Sequence, residues 1–543
     1  MLNIGNKQTR VDGPQKVTGK ATYTADIAAP FYHAYVLQST IACGSITAID
    51  TTAAEAFEGV KAIFTHLNLP ERLKNKVDYT DPLAPPGKPF RPFYNNTILY
   101  NGQPIALVVA ESFEQARYAS KLIKVTYEEK KFKGSLAENL KNASADRAPE
   151  PAKNRGNFTK AFKNSDYTII REYRQSRNYH NPMEPHATSV EYNSDGNIVV
   201  YDKIQGVASS LKYLKGVFGL GADSVRVKSD FVGGAFGSGL RPQYQLFMAT
   251  LAALELKHNV QMVMTRAQMF SFGYRPEVIH TMKLGCSKDG TLTALSHKTV
   301  GETSTFEDFN ETIVDWSGLL YKCDNVNLEY ELTPVQSYTP LDMRAPGGVS
   351  GVYALECAID ELAHEAGIDP LEFRRKNYVD YDQNENKPFT SKELKACYAR
   401  CEEVFNWNNR KSLAKTDPHL LLGYGMATGS WEALQQPASV ALSMNEMGTF
   451  TIKCATADIG TGTYTVMSQI AADKLGVSLD KIKFKLGDTA FPDSPIEGGS
   501  WTVSSVGSAV AAICEKFQYR IFDVWKRNNP EYQAVAFEAI SFQ

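Results

Sequence analysis

Alternating apolar and polar residues mark short strands along this chain, and two of those strands run directly into glycine-rich loops. Ser224-Val-Arg-Val-Lys-Ser alternates with period two. The loop Gly233-Gly-Ala-Phe-Gly-Ser-Gly239 follows, then a helical run through Leu256. Phe450-Thr-Ile-Lys leads in the same way to Asp458-Ile-Gly-Thr-Gly-Thr-Tyr-Thr465 and a helix to Leu475. Loops of this kind bring backbone N–H groups close to an anionic ligand, and the helix N-terminus adds a favourable dipole. Two of them far apart in one chain predict two domains clasping one large, phosphate-bearing cofactor.

The rest of the pattern predicts strands mixed with helices, an α+β chain. Pro104-Ile-Ala-Leu-Val-Val-Ala110 reads as a nearly continuous apolar strand. Ser112 with Gln115 forms a capping-box pattern, Phe113, Ala116 and Ser120 share one helix face, and Ile123 to Tyr127 predicts the next strand. From Lys130 to Arg155 the chain turns polar, with Pro149 and Pro151, and reads as a linker. Leu355, Ile359, Leu362 and Ala366 recur at helical spacing. Gly367 stops that helix, and Asp369-Pro370 starts the next with an N-cap and a proline at its first position. The expected domains are 1–135, 155–400 and 401–543.

Composition narrows the function classes. At 543 residues the chain is too long for one core. A formal net charge of -2 offers no electrostatic case for nucleic acid or an anionic membrane. No apolar run approaches the roughly 20 residues of a membrane span, and the first ten residues lack the apolar core of a signal peptide. A cytoplasmic location is expected, or a periplasmic one if an exported partner carries the chain. The 8 cysteines are scattered, with only Cys397 and Cys401 close together, and are expected to be buried reduced thiols. No ferredoxin-like spacing occurs, so iron–sulfur electron transfer would need another subunit.

Each motif has a plain alternative. The Gly233 loop is out of register with a dinucleotide fingerprint, because Gly233 and Gly234 are adjacent and Phe236 intrudes; by itself it is also consistent with a tight strand-to-helix turn. Thr461, Thr463 and Thr465 offer hydroxyls beside Gly460 and Gly462, suited either to phosphate oxygens or to ordinary capping. No Walker lysine follows. Arg344 precedes a Pro-Gly turn and can fork onto a phosphate or a polar ring edge, or stay solvated. Glu184 and His186 flank Pro185, a spacing that makes no convincing metal site, so Glu184 reads as structural. Gly498-Gly-Ser-Trp-Thr-Val-Ser-Ser505 is a further hydroxyl-rich loop before an apolar helix.

Taken together, in this order, the segments resemble the molybdenum-cofactor-binding subunit of the xanthine dehydrogenase and aldehyde oxidase family. Those that carry the likeness are Arg10 to Asp26, Met183-Glu-Pro-His186, the Gly233 loop, Met343-Arg-Ala-Pro-Gly347, Glu361 to Phe373 and Asp458 to Gly462. It is closest to the bacterial branch with separate polypeptides. The resemblance implies a hammerhead-like N-terminal α/β domain, then two molybdopterin-binding α+β domains, the last incomplete. It implies molybdenum–molybdopterin, in the cytosine dinucleotide form, with iron–sulfur and FAD subunits as partners and an aldehyde or N-heterocycle as substrate, hydroxylated with water as oxygen source. Carried over by position, Gln205 lies near the apical ligand of molybdenum, and Gly234, Ala235, Phe236 and Gly237 line the metal's surroundings. Arg344 contacts the pterin side. Gly460, Thr461, Gly462, Thr463 and Thr465, with Gly499, Ser500, Ser504 and Ser505, hold pterin and phosphate.

One family element has no counterpart. The family's catalytic base sits in a Gly-x-Gly-Glu element near the C-terminus, and the only Gly-Glu dipeptide here is Gly301-Glu302, far upstream. No catalytic residue is therefore assigned. The alternatives are a truncated, catalytically silent cofactor-binding scaffold, or a split half completed by a second polypeptide carrying the glutamate. Some close relatives of this branch place an arginine where Trp431 stands.

Overall fold

The computed structural model describes residues 3–74, 82–221, 223–410 and 419–539. The N-terminal part supplies β1 (Tyr32–Gln38), β2 (Val60–Thr65) and β3 (Pro104–Ala110). The middle supplies β4 (Tyr167–Gln175), β5 (Ala187–Tyr192), β6 (Ile198–Asp202), β7 (Val225–Lys228), β8 (Val260–Val263), β9 (Val278–Cys286), β10 (Leu292–Ser304) and β11 (Val326–Val335). The last part supplies β12 (Ala441–Met444), β13 (Phe450–Lys453) and β14 (Ile482–Lys485).

Seven strands form one sheet in the order β7-β6-β5-β8-β1-β3-β2. β3 is apolar throughout and buried throughout, as a central strand covered on both faces must be. β1 pairs in parallel with β8, Tyr32 opposite Val260, so the segments on either side of residue 135 hydrogen-bond as one sheet. A four-stranded sheet, β11-β10-β9-β4, lies apart from it, and a three-stranded sheet, β12-β13-β14, belongs to the last part.

The helices follow the apolar spacing. α1 (Phe113–Ser120) starts at Ser112, whose hydroxyl accepts from Gln115 N at 3.3 Å. α2 (Val207–Phe218) packs on β7. α3 (Tyr244–Leu256) is buried on all sides from Tyr244 to Ala253, between the sheet and its surroundings. α4 (Gly348–Glu365) lays Ala354, Leu355, Ala358, Ile359 and Leu362 on the four-stranded sheet. α5 (Pro370–Lys376) is capped by Asp369, which accepts from Leu371 N at 2.8 Å. α6 (Thr463–Leu475) and α7 (Ser508–Asn528) cover the last sheet through Met467, Ala471, Leu475, Val510 and Cys514.

Two sequence expectations change. The polar stretch before Arg155 is no free linker. It runs along the edge strand β11, with bridges Ser144–Leu332 and Arg155–Val326, and the Arg155 side chain donates to Cys323 O and Gly318 O, both at 2.8 Å. An open sheet edge offers unpaired backbone groups, and this segment satisfies them. Cys397 and Cys401 are exposed, not buried. Cys286, Cys323, Cys454 and Cys514 are buried, and all eight thiols are free.

Candidate functional site

Parallel strands that share a direction also share an end at which their following loops meet. β13 and β14 are parallel neighbours, and β7 reaches the same place from the large sheet. Ser229 N donates to Gly487 O at 2.7 Å, Gly487 N to Thr456 O at 2.8 Å, and Thr489 N to Val227 O at 3.0 Å. Arg226 clamps Asp488 with both arms, at 2.8 and 2.5 Å. The loops after β7, β13 and β14 are thereby gathered at one cleft, as ligand sites at the carboxyl ends of parallel strands require.

Gln205 is the residue on which this cleft closes. It follows β6 and is 2% exposed. Its Oε1 accepts from Gly237 N at 3.0 Å and Gly239 N at 3.2 Å, while its Nε2 donates to Glu497 O at 2.6 Å. Glu497 N donates back to Gln205 O at 2.8 Å. One amide N–H of Gln205 remains for a ligand.

The Gly233 loop is bent through left-handed backbone at Gly234 (φ 90°), Phe236 (φ 57°) and Gly237 (φ 114°). Phe236 is not a glycine, and its ring is 46% exposed. Arg344 N donates to Phe236 O at 2.8 Å, which joins this loop to the Arg344 turn, where Ala345 (φ 57°) is left-handed too. Ser500 (φ 59°) is another such residue. Non-glycine residues hold this conformation at a cost of roughly 1–3 kcal/mol where the surroundings impose it, and they cluster at functional sites. Arg275 Nη2 donates to Arg344 O at 2.6 Å and Glu311 accepts from Gly347 N at 3.0 Å, so opposite charges grip the two ends of the turn. The Arg344 side chain is exposed and makes no ion pair among the described residues.

Glu184 supports the Gly233 loop from beneath. Its carboxylate accepts from Gly233 N at 2.7 Å and Thr24 N at 3.4 Å, and its own N–H donates to Gly233 O at 3.0 Å. Lys203, fully buried, reaches Ser238 Oγ at 3.4 Å. The expected structural role of Glu184 agrees with these contacts. Glu302 of the Gly-Glu dipeptide is buried in β10 and bound by Arg177 through two hydrogen bonds of 2.6 Å, a structural pair.

The second glycine loop differs from its twin. Asp458 is buried and accepts from Gly460 N (2.8 Å), Gly462 N (3.3 Å) and Tyr464 N (3.3 Å), so a carboxylate of the chain itself takes the loop amides. Thr461 Oγ1 donates to Glu497 Oε1 at 2.5 Å, and Thr463 Oγ1 lies 3.3 and 3.4 Å from the same carboxyl group. Thr465 Oγ1 accepts from Val11 N at 3.0 Å, and Arg10 donates to Gly460 O at 2.8 Å, so the N-terminal segment is stapled here. Ser504 and Ser505 also bond to the chain itself: exposed Ser504 donates to Leu434 O at 2.6 Å, and buried Ser505 accepts from Gln436 N at 2.9 Å. Gly499 O accepts from Trp431 Nε1 at 3.2 Å; Trp431 stacks on Trp316 and covers Gly348.

The structure thus brings together Gln205, Gly234 to Gly237, Arg344, Gly460 to Thr463 and Gly499-Ser500, while Thr465, Ser504 and Ser505 act as internal fastenings. The sequence reading missed Glu497, Arg275, Glu311 and Lys203, none of which carries a spacing signal. Asp458 was quoted within a motif but given no role, although an acid two and four residues before glycine amides is a capping pattern. The ligand implied by the resemblance fits what is left open. A Cβ at Gly460 meets nothing within 4 Å, Arg344 has no ionic partner among the described residues, and the helical run from Thr502 begins with amides that have no acceptor among them either.

Burial sets the ionisation of these groups. Desolvation lifts Glu497 to about 8 and Glu184 and Glu311 to about 7. Desolvation holds His180 and His280 at about 4, and His186 and His297 well below their ordinary value. The raised carboxyls lose stability as pH climbs from about 4.5 towards 8, while the depressed histidines lose it as pH falls below about 6.5, each by up to about 1.4 kcal/mol per pH unit. The melting temperature is therefore expected to peak near pH 6 and to fall on both sides between pH 4.5 and 8.5. A flat profile in that range would contradict these assignments.

Three family models match the chain. The aldehyde oxidase and xanthine dehydrogenase a/b hammerhead domain covers residues 18–131, and molybdopterin cofactor-binding domains cover 141–378 and 400–540. The aldehyde oxidoreductase molybdenum-binding subunit PaoC of Escherichia coli (strain K12) is 33% identical over 531 residues, covering 95% of this chain and 70% of that protein. The xanthine dehydrogenase molybdenum-binding subunit of Escherichia coli O157:H7 is 25% identical over 509 residues, with shares of 87% and 66%. Among solved structures, the aldehyde oxidoreductase from Desulfovibrio gigas superposes with a TM-score of 0.82 at 26% identity, over 94% of this chain and 59% of that one.

Proposed function

Since the chain belongs to the aldehyde oxidase and xanthine dehydrogenase family, we propose that it is the molybdenum-binding subunit of an aldehyde or N-heterocycle oxidoreductase. Its ligand is molybdenum–molybdopterin in the cytosine dinucleotide form. Its partners are an iron–sulfur subunit and a FAD subunit, in keeping with relatives described as molybdenum-binding subunits. The observation that carries this reading is that Gln205 joins the loop after β7 to the segment after β14, where Glu497 in turn holds the loop after β13, with donors left open along the cleft.

When bound, the cofactor supplies the redox chemistry: oxygen from water for the substrate, and two electrons from it. The protein's part is to hold and orient. Gln205 has one amide N–H beyond the one given to Glu497 O, and the Phe236–Gly237 bend presents backbone and an exposed side chain. Arg344 provides a cation for a phosphate or a polar ring edge. The first amides of the helical run from Thr502 suit the phosphate end. Phe236 and Trp431, on either side of the Arg344 turn, give the cleft apolar walls that suit a flat, uncharged aldehyde.

No helix among the described residues is long and apolar enough to cross a membrane. The test is production with the partner subunits in a host able to build molybdopterin. Molybdenum, pterin and CMP are expected close to one per chain, together with turnover of an aldehyde panel using an artificial electron acceptor. Protein that contains neither metal nor pterin overturns the proposal.

A further inference from the structure

Glu497 is a buried acid without a cation. It is 4% exposed, makes no ion pair among the described residues, and the charge that acts on it is another carboxylate, Asp458. Its carboxyl group takes the hydroxyl protons of Thr461 and Thr463 from the last sheet's loop. Its main chain pairs in both directions with Gln205 of the large sheet, and Gln205 in turn holds Gly237 and Gly239. This single residue therefore touches both halves of the cleft.

A threonine hydroxyl has one proton to donate. With those protons on Glu497 and the loop amides on Asp458, Thr461 and Thr463 offer a ligand acceptors only, beside the Asp458 side chain. A phosphate brings acceptors, so it gains no hydrogen bond from these two hydroxyls. An N–H-bearing ring edge brings donors and fits.

We infer that Glu497 is a positioning residue which latches the two halves of the cleft together and reserves the Thr461–Thr463 hydroxyls for the hydrogen-bond-donating edge of a heterocycle, leaving the phosphate end to the Ser500–Ser504 turn. This rests on reading the cleft as a pterin site. Burial keeps the acid protonated at neutral pH; its carbonyl oxygen Oε1 takes both threonine protons, and its own proton sits on Oε2. Glutamine in its place keeps the acceptor oxygen and the shape; alanine removes both.

The experiment compares wild type, Glu497→Gln, Glu497→Ala and the double variant Thr461→Val with Thr463→Val, each produced as the assembled enzyme. Molybdenum and pterin per chain and the half-time of pterin release at pH 7 are measured, with melting temperatures alongside. Glu497→Ala and the threonine pair are expected to release pterin about tenfold faster, the loss of one well-made buried hydrogen bond. Glu497→Gln is expected to stay within about twofold of wild type, and a role as an anion would make Gln fail as Ala does. Above pH 8 the wild type is expected to release faster as Glu497 ionises against Asp458. Lys203 beneath the Gly233 loop, also held near 8, and Glu184 and Arg10 contribute equally in both proteins. The difference between the wild-type and Glu497→Gln curves therefore isolates Glu497. Retention in Glu497→Ala equal to wild type, or identical pH curves for wild type and Glu497→Gln, overturns the inference. Wild type without pterin overturns the site reading instead.

Discussion

Gly237→Ala is expected to abolish cofactor retention and to lower stability by about 4 kcal/mol or more. A Cβ at this position would lie 1.9 Å from Asp342 O and 2.7 Å from Asp342 C, at a φ of 114° that side chains rarely adopt. Neither partner can retreat. Gly237 N is held by Gln205, Phe236 O by Arg344 N, and Asp342 O by His180 at 2.7 Å. Moving the loop thus breaks its join to the Arg344 turn and its amide bonds together. Gly460→Ala is the matched control: its φ of 104° is equally unusual, but a Cβ there meets nothing within 4 Å. It should cost only backbone strain, about 1–3 kcal/mol, and keep most of the cofactor. Thermal unfolding with metal analysis separates the two; equal behaviour would mean that the close approach to Asp342 is not real.

Gln205→Leu is the second large effect. The volumes are similar, so packing survives, but Gly237 N, Gly239 N and Glu497 O lose their shared partner inside a buried seam. Each unsatisfied buried group costs about 1–3 kcal/mol, which places the total for the three at about 3–9 kcal/mol. Gln205→Glu sharpens the test. It keeps the acceptor for the two amides and sets an oxygen against Glu497 O, which repels unless the new acid is protonated. Cofactor content should fall in both variants, and the Glu variant should recover partly as pH is lowered from 8 to 6. Full occupancy in Gln205→Leu would show that the amide is dispensable to the cleft.

Local order was legible. The strand–loop–helix units at Val225 and Phe450, the cap at Asp369-Pro370 and the apolar strand at Pro104 all form where periodicity and capping chemistry put them. Each depends on residues a few positions apart, and so does the family likeness, which is a succession of short motifs. Polarity by itself misread the stretch before Arg155, because its partner is the edge of β11, more than a hundred residues away.

What the amino-acid order determined alone is therefore the set of elements, the two glycine bends and the kind of ligand they suit. The folded chain decided who meets whom. Tyr32 lies opposite Val260, and Gln205, which holds Gly237, reaches Glu497 across 292 positions. It also decided that Thr461 and Thr463 give their protons to a buried acid while Ser504 and Ser505 fasten a neighbouring strand of backbone. The reason is physical. A hydroxyl or an amide is the same donor wherever it occurs, and only the three-dimensional neighbourhood, by burial and by the nearest acceptor, determines whether it serves the fold or the ligand.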